Sequence, residues 1–216
     1  MRRHAGNGAR RTVPALLCTA ALAVTAALAA CSSGGGQAAA TAVALPTWTP
    51  GASPSPAVTY PAQAVTEENF FPMTEGWVFK PVVDIRVTAL GFYDDGQDGL
   101  RRPHKAAIFD MSNKQLLVSI EVQPQSPLDG VFRWAEIEPL VLSAGHAYVV
   151  AVEQVAPWDH EILKPKGREF APEIQYVGYR EHWGKESPTW GFPENDRTGA
   201  GPFLTANLKF KPVSAP

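Results

Sequence analysis

Val83-Asp84-Ile85-Arg86-Val87-Thr88-Ala89 is the stretch that decides the fold, because its apolar and polar side chains alternate without interruption. A period of two places the apolar members on one face of an extended strand. The same alternation recurs in five further segments and, less regularly, in two more. These segments are 77–79, 106–108, 116–120, 132–134 and 148–152, followed by 174–179 and 203–210. The sequence therefore predicts about eight short β-strands.

Turn-forming residues separate these segments, as in Asp95-Gly96, Pro127-Leu128-Asp129-Gly130 and Ser143-Ala144-Gly145. No segment has a convincing amphipathic helical pattern. Short alternating strands with such turns are typical of antiparallel sandwiches. We predict an all-β, antiparallel β-sandwich that is jelly-roll-like and spans residues 66–213. A chain of that length buries roughly two thirds of its extended surface, so one core is enough.

The N-terminus has the organisation of a secretory signal peptide over residues 1–30. Its arginines precede a short apolar run at 13–27, and Leu28-Ala29-Ala30-Cys31 has the form of a bacterial lipobox. The segment resembles lipoprotein precursors, whose cysteine receives a diacylglycerol and, as the resemblance implies, further acyl chains such as palmitate. Cys31 is then the lipidation site and the first mature residue. An uncleaved anchor and a simple secreted protein are the alternatives.

Residues 31–65 are predicted to be a disordered tether. They are rich in Ala, Gly, Ser, Thr and Pro, and the stretch after Cys31 carries no charge up to Val65. Too few large apolar groups are present to offset the entropy of ordering. No later run of about 18 apolar residues predicts a transmembrane helix. The expected location is the extracytoplasmic face of a membrane, including an outer membrane if the organism has one, because Ser32 is not a retention-type aspartate.

Charge and cysteine content exclude several classes of partner. The chain has 19 basic and 21 acidic residues, and removal of the four arginines before Cys31 leaves 15 against 21, a net charge of −6. This balance argues against nucleic acid and against a polybasic membrane footprint. Cys31 is the only mature cysteine, so an intramolecular disulfide and a thiolate metal cluster are both excluded.

An aspartate-rich turn is the first candidate site. Asp94, Asp95 and Asp98 offer three hard oxygen ligands of the kind that a structural Ca²⁺ takes. The turn is not an EF-hand, because counting from Asp94 places Lys105 at the position of the bidentate glutamate. The alternative is a plain turn, since Asp and Gly are favoured in turns for their conformation alone.

An aromatic stretch in what we interpret as a long loop is the second candidate site. Tyr179, His182, Trp183 and Trp190 are the predicted ligand-binding residues, and flat aromatic faces suit sugar rings. The alternative is that the stretch, which also contains Tyr176 and Phe192, caps an open end of the sandwich. By contrast, Trp77 and Trp134 stand at alternating strand positions and are predicted to be core residues.

Catalytic motifs are lacking. There is no Gly-x-Ser-x-Gly elbow and no His-Glu-x-x-His pair, and the mature histidines have no metal-ligand spacing. The best remaining cluster is Asp159-His160-Glu161, which we interpret as a solvated charged loop. The sequence thus predicts no catalytic residues and no enzyme.

Several segments together resemble a bacterial exoprotein domain of uncharacterised function, which occurs in PEP-CTERM-sorted and other surface proteins. They are 87–96, 98–100, His104, 108–110, 127–134, 141–145, 148–150 and, more loosely, 176–178 and 203–210. The resemblance implies a β-sandwich without established catalytic residues. We expect a lipoprotein whose sandwich binds an envelope glycan or polymer. A structural or assembly module that binds another envelope protein is the alternative, and an unrecognised hydrolase ranks third.

Overall fold

The alternating segments form strands in the computed structural model, which describes residues 53–61, 66–67, 72–157, 159–162, 166–183, 190–197 and 204–213. The predicted signal peptide, the lipidation site Cys31 and most of the tether lie outside the described residues. In chain order the strands are β1 (Ser55–Pro56), β2 (Val58–Thr59), β3 (Thr66–Glu67), β4 (Met73–Pro81), β5 (Ile85–Tyr93), β6 (His104–Asp110), β7 (Leu116–Val122), β8 (Leu128–Asp129), β9 (Phe132–Leu142), β10 (Tyr148–Gln154), β11 (Glu161–Ile162), β12 (Glu169–Phe170), β13 (Ile174–Trp183), β14 (Asn195–Asp196) and β15 (Ala206–Pro212).

Two antiparallel sheets contain most of these strands. The first sheet has the order β1-β15-β5-β9-β8, and the second has the order β14-β13-β4-β10-β6-β7. In jelly-roll order, β1-β15-β5-β9 is opposed to β4-β10-β6-β7, and β13 is an additional strand beside β4. The all-β antiparallel sandwich is confirmed, and each of the eight predicted segments contributes a strand. Within the described residues, no helix has the length and apolarity that crossing a bilayer requires.

The first jelly-roll strand comes from the predicted tether, so the boundary at residue 65 is wrong. In β1, Ser55 pairs with Phe210 of β15. The next residues, Ala57 and Val58, are fully buried. Asn207 secures this segment, because its Nδ2 donates to the carbonyl oxygen of Val58 at 2.8 Å. The folded domain therefore begins at least ten residues before the predicted start.

The main core lies between the sheets and contains the inward side chains of both. Trp77 is fully buried there, and its Nε1 donates to the carbonyl oxygen of Ala206 at 2.8 Å, which joins the second sheet to the first. The core prediction is therefore confirmed for Trp77. Trp134 is also buried, with 5% of its surface exposed, but it belongs to a separate apolar cluster on the outer face of the first sheet.

Candidate functional site

The predicted aromatic loop is largely a strand. Tyr179, His182 and Trp183 all belong to β13, and successive side chains of a strand point to opposite faces of its sheet. Tyr179 is fully buried, and its hydroxyl donates to Oε2 of Glu181 at 3.3 Å. Burial raises the pKa of Tyr179 far above its ordinary value. His182 is half-buried, whereas Trp183 is 50% exposed with the Arg197 guanidinium 5.5 Å from its ring centroid.

Trp190 and Phe192 cap the outer face of the second sheet. Their ring centroids lie 6.1 and 5.8 Å from that of Phe109, a buried residue of β6. Arg180 adds its guanidinium 5.4 Å from the ring centroid of Phe192. Trp190 and Phe192 therefore pack against the domain, as in the capping alternative, but on a sheet face instead of an open end of the sandwich. The four predicted ligand-binding residues do not form one aromatic surface, because Tyr179 faces the interior and Trp190 packs on the outer face of the sheet.

The aspartate-rich turn is held by protein groups. Asp94 is buried, and its Oδ2 lies 2.6 Å from Nε of Arg133 and accepts from the amide of Gly99 at 3.1 Å. The turn reverses through Gly96 and Gln97, whose φ angles of 76° and 60° lie in the left-handed region. A guanidinium therefore compensates the carboxylate that would have to bind a cation.

Asp95 is also engaged by its neighbours. Its Oδ2 pairs with Nδ1 of His160, and its Oδ1 accepts from the hydroxyl of Tyr93 at 3.4 Å. Burial, together with the nearby carboxylates, raises the pKa of Tyr93 to about 12. Asp98, the third member, is exposed. No group of three or more His, Cys, Asp or Glu side chains within the described ranges is arranged to hold a metal ion. These contacts favour the plain-turn alternative, and the calcium site stays a prediction.

Asp159 anchors the connection after β10 to the start of β6. Its two carboxylate oxygens accept from the amide of Arg101 at 2.9 and 3.1 Å. Oδ2 also lies 2.6 Å from Nε2 of His104, which is fully buried and whose Nδ1 lies 2.9 Å from the carbonyl oxygen of Glu153. Both ring nitrogens of His104 thus lie within hydrogen-bonding distance of an oxygen atom. The solvated-loop interpretation is wrong for this segment.

Glu161 points into the domain and joins a buried polar group, which we call the carboxyl cluster. Its members are Glu75 of β4, Gln154 of β10, Glu161 of β11, and Tyr179 and Glu181 of β13. Glu75, Glu161 and Glu181 are 1%, 5% and 3% exposed. Burial raises the pKa of Glu75 above its ordinary value of 4.5. The three consecutive residues from Asp159 to Glu161 therefore contact His104, Asp95 and the carboxyl cluster, respectively.

A concave surface in two parts lies on the outer face of the first sheet. One part, the aromatic pocket, has a volume of about 160 Å³ and lies between the segment after β1 and the end of the β8–β9 hairpin. A second part, the shallow groove, has a volume of about 540 Å³ and extends along β5, β9 and β15. Asp129 lines both parts, so they adjoin.

The aromatic pocket is built on a flat tryptophan. Trp134 lies against Gly91 of the neighbouring strand, and only a residue without a side chain leaves room for the indole there. The indole Nε1 donates to the carbonyl oxygen of Asp129 at 3.1 Å. Phe132 packs beside it at 5.6 Å between ring centroids, and Tyr60 lies 5.6 Å from Phe132. Burial raises the pKa of Tyr60, so its hydroxyl stays a donor, here to the carbonyl oxygen of Leu204 at 3.1 Å.

The shallow groove adds charge to this apolar surface. The ammonium of Lys209 lies 4.6 Å from the ring centroid of Trp134 and 2.6 Å from Oδ2 of Asp129. Glu136 of β9 is exposed and also lines the groove. The groove therefore combines one ammonium and two carboxylates on a floor formed by the pleated sheet.

Sequence reasoning missed this site because it placed Tyr60 in the tether and Trp134 in the core. One signal was available. Phe132, Trp134 and Glu136 share one face of a strand, and a face that mixes large aromatics with a charge is typical of a surface that is only partly covered.

Comparison with models of known protein families gives no match, and a search of curated proteins finds none that is significantly similar. The resemblance to the bacterial exoprotein domain stays a prediction.

Proposed function

We propose that this protein is an envelope lipoprotein whose sandwich binds a glycan chain without catalysing its cleavage. The site is the surface formed by the aromatic pocket and the shallow groove. The observation that carries the proposal is the continuity of an apolar aromatic pocket with an open, charged groove on one sheet face. Polymers need a site that is open at its ends, whereas a small metabolite needs an enclosed one.

The chemistry of the surface fits a glycan. Sugar rings have apolar faces that contact aromatic side chains and hydroxyl groups that need directed donors and acceptors. Tyr60 supplies a partly exposed aromatic ring, whereas Glu136 and Lys209 supply an acceptor and a donor. The strands beneath them belong to the sandwich itself, so binding would not require the loops to rearrange.

Membrane attachment through Cys31 is part of the proposal and is supported by the lipobox alone. Two or more acyl chains hold a protein stably on a bilayer, because each buried CH₂ contributes about 0.8 kcal/mol. A tether between Cys31 and β1 would let the groove reach polymer beyond the lipid headgroups. Growth with labelled palmitate, followed by isolation of the wild-type chain and a Cys31→Ser variant, tests this part separately.

The test of glycan binding uses the chain from residue 31 onward with Cys31→Ser, which retains every described residue. It is run through native gels containing envelope polysaccharides or soluble peptidoglycan, beside the variants Glu136→Ala and Glu138→Ala. Glu136 lines the groove, whereas Glu138 is also exposed on the same strand but does not line it. Loss of a hydrogen bond to a charged group weakens binding about tenfold or more, so Glu136→Ala should reduce retardation and Glu138→Ala should not.

Two results would contradict the proposal. Retardation that both variants preserve would place any ligand elsewhere on the domain. Absence of retardation on every polymer would favour the alternative of a module that binds another envelope protein.

A further inference from the structure

We propose that Glu75 and Glu161 share one proton, and that this proton fastens the segment Glu161–Ile162 to the end of the sandwich. The segment then opens as the pH rises. Glu75 belongs to the second sheet and Glu161 to β11, so their contact joins two elements that are 86 positions apart in the chain.

The burial of the two carboxyl groups favours a shared proton, because they meet where water is excluded. Glu75 and Glu161 are 1% and 5% exposed, and their side chains are within hydrogen-bonding reach of each other. Oε1 of Glu75 accepts from Nε2 of the fully buried Gln154 at 3.3 Å, whereas Oε2 of Glu75 has no donor among the described residues. Two adjacent carboxylates cannot both ionise at low cost, and a proton between them supplies the absent donor.

The charges around the pair favour the protonated form. The groups that face Glu75 are Glu161, Glu181 and Tyr179, with Gln154 and Thr205 as neutral partners. Glu181 pairs with Arg197, whose side chain is 47% exposed. Full ionisation would therefore bring the carboxylate of Glu75 close to those of Glu161 and Glu181.

The direction of the pH dependence follows from the raised pKa of Glu75. At a pH below 4.5, the ordinary pKa of Glu75, the proton is bound in both the closed and the open forms. The proton then stabilises the closed form to its full extent. Between 4.5 and the raised pKa, the open form releases the proton and the closed form keeps it. The opening equilibrium constant should then rise about tenfold per pH unit over that interval.

Opening would act on the aromatic pocket. Ile162 is fully buried and belongs to the same apolar cluster as Phe132 and Trp134, with Tyr60 packed against it. Release of Ile162 removes the support beneath Tyr60 and Phe132. Glycan affinity should therefore fall as the pH rises, a consequence that rests on the proposed function.

Hydrogen exchange measured by NMR between about pH 5 and about pH 9 tests the proton-linked fastening. The reporters are the amides of Ile162, which donates to Oγ1 of Thr205, and Leu204, which donates to the carbonyl oxygen of Ile162, each at 3.3 Å. Ile108 in the main core is the reference. Protection factors are used because they divide out the intrinsic base-catalysed rate. The variants are Glu75→Gln and Glu161→Gln, with the exposed Glu121→Gln as the matched control.

In the wild-type chain and in Glu121→Gln, protection at Ile162 and Leu204 should fall with rising pH, whereas Ile108 stays protected. Both cluster variants should abolish that slope, because a glutamine carries its own donor and does not titrate. Protection at Ile162 that is independent of pH in the wild-type chain would overturn the proposal, and so would an equal loss at Ile108. These outcomes do not involve a glycan, so they are distinguishable from failure of the proposed function.

Discussion

Gly91→Ala is the substitution that tests most sharply how the aromatic pocket is built. An added Cβ would lie 2.8 Å from both Cε3 and Cζ3 of Trp134. Carbon atoms in contact prefer separations of about 3.5 to 4.0 Å, so the indole would have to move by about 0.7 Å or more. Movement is opposed by the Nε1 hydrogen bond to Asp129 and by the ammonium of Lys209.

The expected cost is about 1 to 3 kcal/mol of the free energy of unfolding, which is the usual range for overpacking. Gly191→Ala is the matched control, because a Cβ at Gly191 meets no atom within 4 Å. Replacement of Gly by Ala also stabilises a protein by about 0.4 to 1 kcal/mol through the unfolded chain, and this effect is common to both variants. The difference between the free energies of unfolding of the two variants therefore measures the cost of the contact with Trp134.

Urea denaturation, followed by far-UV circular dichroism, measures both free energies of unfolding. Gly91→Ala should be less stable than Gly191→Ala by at least about 1 kcal/mol at an unchanged m-value. A difference below about 0.5 kcal/mol, the range of neutral surface changes, would refute the placement of Trp134 against β5.

Three further predictions concern the rest of the domain. A chain that begins at residue 66 should be less stable to urea than one that begins at residue 53 by about 3 kcal/mol or more, because it loses β1 and the buried Val58. His104→Ala should cost about 3 to 5 kcal/mol in the same assay, because the buried Asp159 carboxylate loses its side-chain partner and keeps the amide of Arg101 as a donor. Hydrogen bonds from Ser112, and a smaller effect of a nearby imidazole, lower the pKa of Asp110 to about 2. The stabilising contribution of Asp110 should be lost as the pH falls through that value, and Ser112→Ala should raise the pKa towards 3.8 in an NMR titration.

The long strands were predictable because each buries one face, and a buried face forces a period of two on the sequence. The first jelly-roll strand has only two residues, Ser55 and Pro56, so it shows no period at all. Its pairing with β15 depends on contacts across about 150 residues. The end of β13 was also missed, because the aromatic residues there resemble those of a binding loop.

The candidate site was harder to predict than the fold, because its chemistry depends on pairs that are distant in sequence. A run such as Asp159-His160-Glu161 gives no sign that its members reach His104, Asp95 and the carboxyl cluster. Charged residues in connections between strands are solvated in most proteins. Asp159 and Glu161 differ because their partners are buried, and the sequence does not show this.

The most direct test of the central claim is an NMR titration of the chain from residue 31 onward, carrying Cys31→Ser, with soluble peptidoglycan fragments and with neutral oligosaccharides. The indole N–H signal of Trp134 reports on the groove, whereas those of Trp77 and Trp190 report on the core and on the opposite sheet. The account predicts that a bound glycan shifts the Trp134 signal and the amides of β9 around Glu136, and leaves Trp77 and Trp190 unchanged. Shifts confined to the region of Trp183 and Trp190 would contradict it.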